Sequence, residues 1–178
     1  YSRHKNWVPF LGKNGDVLLL QKINPMLVVK PTIHSDTGLM HAEVVSSAPE
    51  QSVMWPYGTL RGGTNAVFLE EHNVYLAFFH TKTNFVGNFM ASYVAGAYTF
   101  SSEAPYKLLS ISAMPIVDEK YYSGPWSPIK HGAIDYIFFP TAFFMDGSEI
   151  VMSVGVQDHS GFIVRLDLQA VLDTMVPV

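Results

Sequence analysis

The sequence predicts an all-β fold: an open arc of about three β-propeller blades out of a possible five, ending in one short C-terminal helix. Three observations predict it. Apolar runs are short and bounded by turn residues, they are rich in β-branched and aromatic types, and one strand–turn–strand unit recurs along the chain. The first copy is Val8-Pro9-Phe10-Leu11, a turn over Gly12 to Asp16, then Val17 to Gln21. The second is Asn65 to Leu69, a turn over Glu70 to Asn73, then Val74 to His80. The third is Pro140 to Met145, the turn Asp146-Gly147-Ser148, then Glu149 to Gly155. Asn14-Gly15 and Asp146-Gly147 are hairpin dipeptides, because both turn positions there demand a backbone that Asn, Asp and Gly adopt readily.

Further strands are expected at Leu27 to Lys30, Tyr93 to Phe100, Lys107 to Ser112 and Phe162 to Leu168, with a helix over Leu168 to Met175. A hairpin plus outer strands at each step gives a single domain with blades near 1–60, 61–120 and 121–178. A β-sandwich of about ten strands is the other arrangement such hairpins permit. The chain starts at Tyr1 with no signal-like segment, and is read as the C-terminal portion of a longer protein.

Composition narrows the classes of partner. Of 178 residues, 48% are hydrophobic, 13% aromatic and 15% charged, and net charge is −4. No apolar run nears the roughly 18 residues a membrane helix needs, so the apolar content belongs in strands. Without a basic run or patch, nucleic acid and anionic membrane are disfavoured as partners. There are no cysteines, which excludes disulfides and thiolate metal sites. Aromatic richness suits a sheet and also a sugar site, where rings pack on aromatic faces.

In a propeller, polar residues at the ends of the repeat units fall on a rim of the central channel. Lys5 precedes the first unit, within Arg3-His4-Lys5-Asn6-Trp7. It can hold an anion or a sugar hydroxyl, or stay solvated. Arg61 precedes Gly62-Gly63, where the absence of side chains lets a backbone approach a ligand closely. His80 closes an apolar strand and serves either as a structural histidine or as a ligand contact. Asp158 follows the third unit and can accept two hydroxyl hydrogen bonds. Asp158 and His159 point to opposite faces if they continue a strand, which disfavours a shared metal. Asp135 reads as a surface turn residue. No cofactor fingerprint and no acid–base pair at defined spacing is visible.

Taken in order, these motifs resemble glycoside hydrolase family 130, the five-bladed β-mannoside phosphorylases and hydrolases, and their glycosyltransferase-like relatives. The residues that carry the resemblance are Lys5-Asn6-Trp7-Val8-Pro9-Phe10 with Ile23-Asn24-Pro25, and Gly62-Gly63-Thr64 with Phe79-His80-Thr81. Tyr93-Val94-Ala95-Gly96-Ala97-Tyr98 follows, then Ala104-Pro105 and Met114-Pro115-Ile116. Last come Gly124, Ile137-Phe138-Phe139-Pro140 and Ser153-Val154-Gly155-Val156-Gln157-Asp158, the family's Tyr-Tyr-Gly-Ala-Ala-Asp. The resemblance implies that Lys5 and His80 contact phosphate or the sugar near the scissile bond, and that Asp158 binds the mannosyl unit. It implies an oligosaccharide or glycoside partner and no organic cofactor, with inorganic phosphate as a candidate co-substrate. It places the leaving-group acid and a phosphate-holding arginine cluster in N-terminal blades outside this sequence. Ser153 and Val154 stand where the family has two tyrosines, and Phe79 where it has one. Those departures weaken the case for phosphate and leave hydrolysis or glycosyl transfer open. The competing expectations are a non-catalytic carbohydrate-binding propeller and a structural or interaction propeller.

Overall fold

The computed structural model describes residues 5–83, 92–116, 118–121 and 137–178. Arg3, His4, Gly124 and Asp135, named above, lie outside them. Twelve strands are described, arranged in three antiparallel sheets as an open arc of propeller blades. Sheet one is the meander β1 (Val8–Leu11), β2 (Val17–Lys22), β3 (Leu27–Ile33) and β4 (Met40–Ser47). Sheet two holds β5 (Arg61–Leu69), β6 (Val74–Thr83), β7 (Ser92–Ser101) and β8 (Leu108–Ser112). Sheet three is β9 (Phe138–Asp146), β10 (Glu149–Val156) and β11 (Ser160–Asp167), followed by helix α1 (Leu168–Asp173).

Strand β6 shows why the sheets stack. Residues from Tyr75 to Thr81 are all buried, so this strand reads as one apolar run rather than an alternation. Successive side chains still point to opposite faces. Tyr75, Ala77 and Phe79 join the core against Val8, Phe10, Leu18 and Leu20 of sheet one. Leu76 and Phe78 join the core against Phe143, Ile150 and Met152 of sheet three. Sheet two is thus the middle layer, and each fully buried aromatic or aliphatic side chain in it contributes about 1.5–3 kcal/mol.

The outward face of sheet one is apolar as well. The register aligns Pro9, Leu19, Val29 and Val44 across the four strands, with Leu11 beside Val17 and Ile33 beside Met40. Leu11, Val17, Ile33, Met40 and Val44 are all more than half exposed.

A polar bond ties sheet two to sheet three. The Asn65 amide donates to the Phe143 carbonyl at 3.0 Å, and its oxygen accepts from the Phe143 N–H at 3.0 Å. One side chain thereby imitates a ladder step between β5 and β9. Asn65→Ala leaves both backbone groups of Phe143 without these partners and is expected to cost about 2 kcal/mol, read as a lower urea midpoint. An unchanged midpoint would count against this bridge.

Three elements differ from the sequence expectation. The helix stops at Asp173 because the Thr174 hydroxyl bonds the Val171 carbonyl at 2.7 Å, ending the turn. Met175–Pro177 then forms β12, which pairs with β8 as the outermost strand of sheet two. Strand β4 was not anticipated. Seven of its eight residues, all but Ser46, are exposed, so its sequence shows no buried stripe.

Candidate functional site

The first strands of the three sheets, β1, β5 and β9, lie side by side, and their N-terminal ends meet at one rim. Glycine explains how close they come. A Cβ on Gly62 would overlap the Asn6 carbonyl oxygen and press on Val8, and one on Gly63 would sit 3.0 Å from both the Phe78 carbonyl and the Pro140 ring. The two glycines therefore admit neighbouring backbone, where the sequence suggested that they admit a ligand.

This approach brings three of the four predicted residues together. Arg61 opens β5 and is the cross-strand partner of His80 on β6. Lys5 lies just before β1, and both cations act on the His80 ring. Lys5 and Arg61 are exposed, whereas His80 is only 1% exposed. His80 faces sheet three, with its ring centroid 4.2 Å from that of Phe139. Burial pushes its pKa down to about 4, helped by the charges of Arg61 and Lys5 and opposed by a backbone hydrogen bond to Gly62. The ring is therefore neutral at pH 7. Among the described residues its Nδ1 is buried without a hydrogen-bond partner, and so is the indole Nε1 of Trp7. Orphaned buried polar atoms are rare and concentrate where a ligand or water completes the bonding.

Asp158 stands apart from the cation pair. It sits in the turn just past β10, three residues beyond Gly155, whose ladder partner Phe139 packs against His80 with its ring tilted. It is exposed, with a left-handed φ of 50°, and among the described residues it has no hydrogen bond or ion pair to Lys5, Arg61 or His80. His159 beside it is hydrogen-bonded to the Ser160 hydroxyl at 3.0 Å.

A cleft of about 500 Å³ opens beside the cations, between the ends of β1 and β2 and the start of β5. Lys5, Lys22 and Arg61 line it with Asn6, Gln21, Asn24 and Thr59, and among the described residues no carboxylate does. Asn24 is fixed there by paired bonds with the Gln51 backbone, at 2.8 and 2.9 Å. Such a wall of donors can hold an anion or the hydroxyls of a sugar. Sequence reasoning missed Lys22, although it directly follows the closing residue of the first repeat unit. It also missed Phe139, whose place over His80 follows from sheet packing alone.

Fold and rim together define an all-β partial propeller with a cationic cleft at one rim, free of carboxylates among the described residues. Comparison with solved structures agrees with the fold. The β-1,2-mannobiose phosphorylase from Listeria innocua, solved with β-1,2-mannobiose, superposes with a TM-score of 0.63 at 18% identity, over 96% of this chain and 46% of that one. A glycosyl hydrolase from Bacteroides ovatus gives 0.57 at 13% identity, over 92% and 48%. A structure from the GH130 family of mannoside phosphorylases, which contains glycoside hydrolases that target β-1,2 mannosidic linkages in Candida mannan, gives 0.54 at 11%, over 92% and 48%. The likeness is one of fold, and the chain spans about half the length of each of these proteins. No protein-family model and no curated protein matches the sequence.

Proposed function

We propose that this chain forms part of a carbohydrate-active protein that binds a glycoside at the rim of Lys5, Arg61, His80 and Asp158. The observation that carries the reading is the cleft: three cationic side chains beside a neutral, buried histidine, with no carboxylate in the lining and no partner for the histidine Nδ1 among the described residues. Asp158 accepts sugar hydroxyls, Arg61 offers a planar fork of donors, and Lys5 with Lys22 favours an anion such as inorganic phosphate. The fold likeness to glycoside phosphorylases and hydrolases supports a glycoside partner, which we take to be a β-mannoside or related glycoside handled by phosphorolysis, hydrolysis or transfer.

Calorimetric titration of the full-length protein with β-1,2-mannobiose, with and without inorganic phosphate, tests the reading. Binding is expected, and Arg61→Ala or Asp158→Ala should weaken it at least about tenfold, the cost of a lost charge-assisted bond. Both side chains are exposed, so the unfolding midpoint should stay within about 0.5 kcal/mol of wild type. Release of mannose 1-phosphate, of mannose, or of a transfer product separates the three chemistries. Absence of any sugar binding would sink the proposal. The lack of a carboxylate among the described lining residues also favours a second reading, a binding propeller without turnover. That reading predicts tight titration curves and no product.

A further inference from the structure

We propose that Gln157 is the positioning residue of this rim: its side chain pins the turn that presents Asp158. The inference rests on the reading of Asp158 as a sugar contact. Two consecutive non-glycine residues, Gln157 at φ 56° and Asp158 at φ 50°, adopt the left-handed conformation. Each costs roughly 1–2 kcal/mol, so surrounding bonds must hold the pair in place. Aspartate tolerates this conformation because its short polar side chain bonds locally, whereas glutamine has no such preference. Backbone preference therefore does not explain Gln157, and its contacts do.

The Gln157 N–H donates to the Ile137 carbonyl at 3.0 Å, while the Ile137 N–H donates to Gln157 Oε1 at 2.7 Å. One residue thus satisfies both backbone groups of Ile137, through its main chain and its side chain. The pairing extends the β9–β10 ladder one step past Val156 and Phe138, into the turn. Gln157 and Ile137 are 8% and 7% exposed, so bulk water is poorly placed to replace the lost acceptor. Ile137 also forms a parallel bridge to Tyr93 of β7, which couples the turn to sheet two. The His159 N–H closes the turn on the Val156 carbonyl at 3.1 Å. Asp158 itself stays exposed at the tip.

Three variants separate reach from backbone preference. Gln157→Leu keeps the size and removes the acceptor. Gln157→Asn suits the left-handed backbone better but falls short of Ile137. Gln157→Glu keeps an oxygen at the right reach in either protonation state. Each is read in two ways: backbone NMR couplings and shifts at Asp158 with amide exchange at Ile137, and the Kd for β-1,2-mannobiose. The Leu and Asn variants should lose the left-handed signature at Asp158, speed exchange at Ile137 and bind about tenfold more weakly, while Glu should restore all three. Unchanged backbone signals in both Leu and Asn variants overturn the proposal. Weakened binding with an unchanged Asp158 backbone also overturns it, since Gln157 would then touch the sugar directly. Should the wild type fail to bind the disaccharide, the functional reading fails, and the NMR arm still decides the pin. If the Leu variant does not fold, the contrast between Asn and Glu carries the test.

Discussion

Gly62→Ala is expected to destabilise the protein by about 3 kcal/mol and to abolish glycoside binding at the rim. The backbone of Gly62 does not lie in the left-handed region, so no conformational penalty is involved. The cost is steric. The new methyl group meets the Asn6 carbonyl, which is main chain and cannot rotate away, and then the Val8 side chain. Strand β1 must shift from β5, opening the core that Val8 shares with Ala66 and Phe79. The same shift separates Lys5, next to Asn6, from Arg61, next to Gly62. Gly161→Ala is the matched control, because a Cβ there meets nothing within 4 Å. Urea unfolding of the two variants, followed by titration of whatever folds, checks the result. Equal midpoints for the two would remove the close approach as an organising feature of the site.

The second large effect is a loss of stability on mild acidification, carried by His80. An unfolded histidine titrates near 6.5, whereas burial holds the folded His80 at about 4. Between those values the unfolded chain binds a proton that the folded chain refuses, so stability falls as pH falls. The His80 contribution is complete above pH 6.5, declines between 6.5 and 4, and changes no further below that. Over the window the loss is on the order of 3 kcal/mol. Asp16 and Asp118, held below the usual carboxylate range by hydrogen bonds from Lys30 and Lys120, lose their contributions at lower pH; Asp16 is half-buried and Asp118 exposed. His80→Phe removes the titration while keeping a ring against Phe139. The wild-type midpoint in urea should therefore drop between pH 6.5 and 4, while that of His80→Phe stays nearly level. Parallel curves for the two proteins would show that the ring is not held neutral.

How far the sequence reached can be judged residue by residue. The hairpins β1–β2, β5–β6 and β9–β10 were legible because their determinants are local: apolar runs of strand length and turn residues such as Asn14-Gly15 and Asp146-Gly147. Helix α1 was legible to within two residues, and the Asp167 side chain caps its start by accepting from the Ala170 N–H at 2.8 Å. Strand β12 was not, because three residues form a strand there only where β8 offers a free edge. Of the site, the polar residues closing each unit were visible. Their environments were not: nothing local to His80 shows that Phe139, some sixty residues later, covers its ring.

The sequence by itself determined the all-β arc, its repeating hairpins and the residue types along its rim, since strand periodicity and turn chemistry act over a few neighbouring residues. Only the tertiary structure decided what those rim residues are. Packing β1 against β5 through Gly62 set Lys5 and Arg61 beside one histidine, and sheet three buried that histidine in neutral form. Glutamine at 157 reached Ile137 across the turn and so fixed where Asp158 stands. These are contacts between residues far apart in the chain, and burial and hydrogen bonding act on them only once the sheets have stacked.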